Sequence, residues 1–444
     1  MKISQGKKYY LETFGCQMNV ADSEMIEGIL QSKGYYPIKR MDSADIIFVN
    51  TCAIREHAEE KVHSRLGVFS KIKNNKPNVI IGVLGCMAQH LKDDILDSKP
   101  YVDIILGPDS YRKLPKLLER NKVDKKNIVD TQLSRYEVYN NFFPSRNEGI
   151  NAWVSIMRGC DKFCTFCIVP FTRGRERSRS PNNIIDEVKK AVDEGFVEIT
   201  LLGQNVNSYT YDNYSFDYLL KNIAEINGVQ RLRYTSPHPQ DMTDDVLYVM
   251  SHYDNICNAV HFPLQAGSNE VLKRMNRSYT KSHFIDRAHR IRDILPNCGL
   301  STDIIVGFPG ETNSQFEETL NVMNEVKFDS AFTFKYSPRL GTKAYEYSDQ
   351  ILEIDKQERL DKVIKLQKKH TIFRNKEMIG NIERVLVEKN SKRSINQWAG
   401  RTDSNKWVIF DKENANIKDL VNVSITNAKG ISLHGHLVKK KEAA

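Results

Sequence analysis

Three cysteines stand in the run Arg158-Gly159-Cys160-Asp161-Lys162-Phe163-Cys164-Thr165-Phe166-Cys167, and this C-x3-C-x2-C spacing constrains the chain more than any other feature in it. Three thiolates gathered by one short loop can hold three corners of a 4Fe-4S cube and leave the fourth iron free for something other than protein. A zinc knot is the plain alternative, since a C-x2-C pair such as Cys164/Cys167 is half of many structural zinc sites. Such a site needs a fourth ligand and usually a second pair close by, whereas the nearest downstream histidine, His238, stands alone between two prolines. A closed ferredoxin cluster takes four cysteines, and this loop offers three.

Composition sets the context for that loop. At 444 residues and 40% hydrophobic content the chain can bury large cores and form two to four domains. Its lysine-rich start is followed by no apolar core, so no secretory leader is expected, and the longest apolar stretch, residues 79–88, falls well short of the roughly 20 residues that cross a bilayer. A cytoplasmic, non-membrane protein is the expectation. Eight cysteines are too few for a disulfide scaffold and fit metal binding better. A net charge of +9 permits a nucleic-acid partner without requiring one.

Three further cysteines share one placement. Cys16, Cys52 and Cys86 each follow a strand-like run, at residues 9–14, 45–50 and 79–84, and a helical pattern succeeds each, at roughly 21–33, 55–73 and 89–97. Alternating strands and helices predict a parallel α/β domain over residues 1–130, with all strand ends on one edge, where open α/β folds bind ligands. The common placement favours a second three-thiolate set over three buried cysteines serving as small hydrophobes.

From about residue 151 the alternation restarts. Strands are predicted at 152–157, 198–202, 231–234, 259–262, 299–306 and 331–336, with helices at 183–195, 216–226, 283–295 and 314–326; Thr312 and Gln315 make a capping-box pair. Six such units predict a partial (β/α)6 barrel, within a central domain of residues 146–379 that ends in a long charged linker helix at 354–379. Barrel chemistry sits at the C-terminal strand ends, where Cys160, Gly203-Gln204-Asn205, His261 and Gly307 to Glu311 fall. Glycines there let a cofactor approach the backbone closely, although turn formation alone also explains them. No dinucleotide or triphosphate motif is present.

Residues 380–444 change character again, with short strands at 382–388, 406–410, 420–426 and 433–438 that predict a small antiparallel β-barrel. This segment carries 12 basic and 7 acidic residues. A basic small barrel suits nucleic acid, and solubility alone is the other reading. Arg173, Arg175, Arg177 and Arg179 form a second basic run beside the cluster loop; they are candidate phosphate contacts or a solvated loop.

The C-x3-C-x2-C loop after the first barrel strand resembles the radical S-adenosylmethionine superfamily. That resemblance implies S-adenosylmethionine chelating the open iron, one-electron cleavage to a 5′-deoxyadenosyl radical, and cofactor contacts at Gly203, Gln204, Asn205, Gly307 and Glu311. As a whole, residues 8–438 resemble the methylthiotransferases, which join an N-terminal three-cysteine domain, a radical SAM barrel and a C-terminal TRAM barrel that binds RNA. The phrases Thr13-Phe14-Gly15-Cys16-Gln17-Met18-Asn19, Asn50-Thr51-Cys52-Ala53-Ile54-Arg55-Glu56-His57-Ala58 and Cys164-Thr165-Phe166-Cys167-Ile168-Val169-Pro170-Phe171-Thr172-Arg173-Gly174 are similar to the branch that acts on isopentenylated adenosine in tRNA.

The resemblance implies radical insertion of a methylthio group at C2 of N6-dimethylallyladenosine at position 37, in the anticodon stem-loop. It also implies two S-adenosylmethionine per turnover, a second 4Fe-4S cluster on Cys16, Cys52 and Cys86, and a flavodoxin or ferredoxin as electron donor. A monomer is expected, with no catalytic residue beyond the cluster ligands. Related branches act on threonylcarbamoyl adenosine or on a ribosomal-protein aspartate; an iron-sulfur or zinc RNA-binding protein is the non-enzymatic alternative. Cys257 and Cys298 have no partner spacing and are expected as buried hydrophobes.

Overall fold

The computed structural model describes residues 7–52, 56–124, 126–146 and 149–438. The side chains of residues 53–59 lie outside the described set, and with them most of the phrase at residues 50–58.

The first layer is a six-stranded, all-parallel sheet of β1 (Lys8–Thr13), β2 (Tyr36–Pro37), β3 (Ile46–Thr51), β4 (Ile80–Gly85), β5 (Ile104–Leu106) and β6 (Ile128–Asp130), in the order β2-β1-β3-β4-β5-β6. β3 and β4 are buried at every position, as strands covered on both faces must be. The covering helices are α1 (Gln17–Gln31), α2 (Glu56–Asn75), α3 (Cys86–His90), α4 (Lys92–Ser98) and α5 (Leu114–Asp124). The single helix expected at 89–97 is therefore two, broken at Leu91. Chain order reverses between β1 and β3, so the sheet's topological switch point lies where Cys16 and Cys52 emerge.

The central unit begins with β7 (Asn151–Ser155), a short ribbon of β8 (Met157–Arg158) and β9 (Arg177–Ser178), and between them α6 (Val169–Arg173). There follow α7 (Pro181–Asp193), β10 (Glu198–Leu202), a hairpin of β11 (Thr210–Tyr211) and β12 (Tyr214–Ser215), α8 (Phe216–Ala224), β13 (Arg231–Tyr234), α9 (Asp244–His252) and β14 (Ala259–His261). The remainder is α10 (Asn269–Arg274), α11 (Lys281–Ile294), β15 (Gly299–Val306), α12 (Asn313–Val326) and β16 (Ser330–Lys335). β7-β10-β13 and β14-β15-β16 are parallel sheets joined by the Leu232–Ile256 bridge, giving the six-stranded partial barrel. Outward residues such as Ile199, Leu201, Leu232, Leu300 and Ile304 pack with the helices into one large core. The Thr312/Gln315 capping box is formed in full.

The expected linker helix is α13 (Glu353–Lys376), and it is a packed element: it lies against β16 and α12 and buries Val363, Gln367 and His370. Beyond it, β17 (Ile382–Asn390), β18 (Gln397–Thr402), β19 (Trp407–Asp411), β20 (Leu420–Lys429) and β21 (Ser432–Leu437) close a barrel in the order β17-β18-β19-β21-β20. The pairing is antiparallel except between β19 and β21. β18 was not among the expected strands, because Ala399-Gly400 interrupts its β-forming residues; Gly400 is needed there, since a Cβ would lie 2.2 Å from Leu386 O.

The turn joining β18 and β19 docks on the N-terminal edge of the central barrel. Fully buried Arg231 donates to Arg401 O (2.8 Å) and Thr402 O (2.9 Å), and Arg233 to Thr402 O (2.8 Å) and to the Glu198 carboxylate (2.9 Å). A Cβ on Gly299 would meet Ser404 O at 2.2 Å. Glu198, Arg231 and Gly299 each start a strand, so the turn forms a floor beneath the barrel, at the end opposite the cysteine loop. No helix among the described residues is long and apolar enough to cross a membrane.

Candidate functional site

Cys160, Cys164 and Cys167 lie between β8 and α6, on a loop folded by special backbone. Gly159 has φ +79°, and a Cβ there would sit 2.0 Å from Arg175 O; Phe163 also takes a left-handed φ of +46°. A second segment, the turn after α10, holds this loop from outside. Thr165 N donates to Met275 O (3.1 Å), Thr165 Oγ1 to Arg274 O (2.8 Å), and Asn276 Nδ2 to Lys162 O (3.1 Å) and Phe163 O (2.9 Å). Arg277 Nη1 donates to Cys164 Sγ (3.3 Å). Asn276 itself sits at φ +57°. These residues were missed in the sequence: no helix is predicted over 269–274, and the partners of Asn276 and Arg277 lie 114 and 113 residues upstream, which leaves no local signal.

The expected cofactor contacts divide. Gln204 Oε1 accepts from Gly159 N (2.5 Å), Asn205 donates to Asp241 (2.7 Å), which also holds Lys162 (2.9 Å), and a Cβ on Gly203 would strike Met157 at 2.7 Å. All three brace the cysteine loop. Gly307 and Glu311 turn the other way: Glu311 Oε2 accepts from Gly307 N (2.7 Å) and Arg359 of α13 (2.8 Å), and a Cβ on Gly307 would meet Lys356 at 2.4 Å. These two also anchor α13; burying a carboxylate demands such a partner. His238 is buried and held neutral, its pKa pulled to about 2 by burial and by Arg277 and Lys162. His261 contacts Ser301 (3.0 Å) and Asp303 (3.2 Å) on the barrel's inner face.

The second set is assembled from three strand ends. Cys16 caps α1 after β1, Cys52 follows β3, and Cys86 opens α3 after β4. Gly15, at φ +119°, allows the approach, since a Cβ there would lie 2.5 Å from Cys52 Cβ. Donation from the Cys52 thiol, helped by Arg173, brings Cys16 down to about 5, whereas burial pushes Cys86 up. In the loop set, burial pushes Cys160 up to about 11 and Cys167 to about 12. Among the described residues no three His, Cys, Asp or Glu side chains gather around the position of a single ion. The chemistry of the donors fits a larger cationic group: three soft thiols per set, each set with a guanidinium beside it, and in the loop set two thiols raised by burial that metal charge would stabilise as thiolates.

The arginine run stands corrected. Arg173, Arg177 and Arg179 are buried, and only Arg175 is exposed, paired with Asp161 (2.6 Å). Arg173 and Arg158 share Asp22 of α1 (2.8 and 2.9 Å), Arg177 grips Asp109 (3.1 Å), and Arg179 pairs with Glu187 (2.7 Å). Buried charges require carboxylate partners, so Arg158, Arg173 and Arg177 fasten the barrel to the first sheet and are not available to phosphates. Arg173 Nη1 is buried with no hydrogen-bond partner among the described residues, in the field of Cys86 and Cys16. Cys86 packs on Ile168, and α3 on α6, so the two cysteine sets meet across one seam.

Three families account for the chain: UPF0004, an uncharacterized protein family, over residues 8–107, the radical SAM superfamily over 154–323 and the TRAM domain over 376–438. The tRNA-2-methylthio-N(6)-dimethylallyladenosine synthase of Phocaeicola vulgatus is 46% identical over 443 residues, covering 98% of this chain and 97% of that protein. The chain belongs to this synthase family. Another member, from Clostridium botulinum, is 44% identical over 433 residues, covering 96% of each chain. Among solved structures, the radical S-adenosylmethionine methyltransferase TsrM from Kitasatospora setae matches with a TM-score of 0.56 at 12% identity, over 74% of this chain and 73% of that one; this likeness shows the fold alone. Membership of the synthase family and its radical SAM domain implies S-adenosylmethionine and a 4Fe-4S cluster.

Proposed function

We propose that the chain inserts a methylthio group at C2 of N6-dimethylallyladenosine at position 37 of tRNA, consuming two S-adenosylmethionine per turnover. The observation that carries this reading is the pair of three-thiol sets facing one seam, one on the barrel and one on the first sheet, in a chain 46% identical to a synthase so named. Cys160, Cys164 and Cys167 would hold the cluster that binds S-adenosylmethionine, and Cys16, Cys52 and Cys86 a second one. Together the bound groups supply the one-electron chemistry that removes hydrogen from an unactivated C–H bond, and the sulfur that replaces it.

The chain's own residues do the positioning. Asn276 and Gln204 fix the loop that carries the first set, Asp22 and Asp109 hold the barrel against the sheet that carries the second, and α6 joins Cys167 to Arg173 within one helical turn and a half. The C-terminal barrel supplies RNA contacts through cations beside aromatic rings, exposed Lys389 over Trp407 (4.2 Å) and half-buried Lys412 over Trp398 (4.0 Å). A monomer, with a flavodoxin or ferredoxin as donor, completes the proposal. The test is an anaerobic assay offering prenylated tRNA, threonylcarbamoylated tRNA and the ribosomal protein to reconstituted enzyme, with mass spectrometry of digests. Methylthiolation of the aspartate, or preference for threonylcarbamoyl adenosine, overturns it.

A further inference from the structure

Arg277 differs from most of the arginines packed around the barrel. Arg158, Arg173, Arg177, Arg179, Arg233 and Arg359 each pair with a carboxylate. Among the described residues Arg277 has none within ion-pair distance. Its Nη1 donates to Cys164 Sγ (3.3 Å), its Nε to Tyr279 Oη (3.1 Å), and its third contact, Nη2 to Pro263 O, is long at 3.5 Å. The guanidinium lies 4.9 Å from the centroid of the Tyr279 ring, and Tyr279 is fixed in turn by donating to Leu264 O (2.8 Å) and Pro263 O (2.9 Å). A rigid, half-buried positive charge is thus aimed at one sulfur of the loop set.

We propose that Arg277 is a positioning residue that sets the reduction potential of the cluster on Cys160, Cys164 and Cys167. The inference rests on the cluster assignment under the proposed function. A cluster accepting one electron from a low-potential donor gains one negative charge and no proton. A charged N–H donor on a ligand sulfur stabilises that added charge, because hydrogen bonds to the sulfurs and net local charge are what tune such potentials. Arg277 therefore makes the cluster easier to reduce, and its lack of a carboxylate leaves the full charge available for this.

The test is an EPR-monitored potentiometric titration of the reconstituted full chain, run also with Cys16, Cys52 and Cys86 all replaced by Ala to separate the two signals. Arg277→Gln should lower the midpoint by the equivalent of at least a tenfold weaker hold on the electron, about 59 mV for a one-electron couple. Arg277→Lys should fall between the two, and Tyr279→Phe, which keeps the guanidinium but loosens its aim, should shift the midpoint less than Gln does. An unchanged midpoint in Arg277→Gln at full iron content overturns the inference. Loss of iron from all three variants also overturns it, because Arg277 is then a clamp on the loop. Wild-type protein that takes up no iron at Cys160, Cys164 and Cys167 instead sinks the cluster assignment.

Discussion

The two cysteine sets are assembled by opposite routes. The barrel set is local: eight consecutive residues of one loop carry all three thiols, and a neighbouring turn at residues 274–277 clamps it. The sheet set is distributed: its thiols come from three strand ends, and its surroundings depend on a barrel arginine, Arg173, paired with Asp22. A local site survives rearrangement of domains, whereas a distributed one is only as firm as the interface beside it.

Exchanging cysteines breaks the comparison most severely. Replacing Cys160, Cys164 or Cys167 with Ala should abolish both reductive cleavage of S-adenosylmethionine and product, while replacing Cys16, Cys52 or Cys86 should spare cleavage and remove methylthio transfer. Release of 5′-deoxyadenosine against methylthiolated nucleoside, both by mass spectrometry, reads this out. Methylthiolated RNA from the triple Cys16/Cys52/Cys86 variant would show that one set does both jobs.

Next in size is the interface. Asp22→Ala leaves Arg158 and Arg173 buried without their shared carboxylate, and removing one partner of a buried pair costs about 3–5 kcal/mol. Asn276→Ala removes two hydrogen bonds and should cost only about 1–3 kcal/mol. Denaturant midpoints decide the order; a larger loss from Asn276→Ala reverses the contrast.

A smaller effect is pH-dependent. Burial raises Glu24, beside Arg146 (3.3 Å), from 4.5 to about 7, because the Arg146 charge is shared with Glu187. The unfolded carboxyl loses its proton at lower pH than the folded one, so this group's contribution to stability declines as pH rises from about 4.5 to 7. At roughly 1.4 kcal/mol per unit, the loss is about 2 kcal/mol after allowance for partial solvation. Glu24→Gln should flatten the stability profile in that window; an unaltered slope excludes Glu24 as its source. Smallest of all, Arg175→Ala removes an exposed, solvent-screened pair with Asp161 and should leave the denaturant midpoint unmoved.

The same contrast governs what could be read in advance. The loop set needed only spacing, and the six barrel strands only the alternation of apolar runs with helices, each falling within about two residues of its range. The placement of Cys16, Cys52 and Cys86 needed a topology as well, which the β3 and β4 runs supplied. What stayed hidden was pairing across long distances. Arg173-x-Arg175-x-Arg177-x-Arg179 looks like a solvated run because Asp22 and Asp109 are some 150 and 70 residues upstream. Likewise nothing near Glu311 announces Arg359, and β18 is recognisable only once Leu386 is beside Gly400.

The turn that closes the barrel floor has a consequence for the length of the RNA. With Arg231 and Arg233 gripping the backbone of Arg401 and Thr402, the C-terminal barrel is locked to one end of a wall whose cysteine loop stands at the other. Strands of up to eight residues, rising about 3.3 Å each, make that wall at most about 26 Å tall. On the proposed function, an RNA gripped below and modified above must bridge that height. On that reading the two ends of the enzyme would act as a caliper of fixed opening, which a stem shortened by several base pairs would not fill.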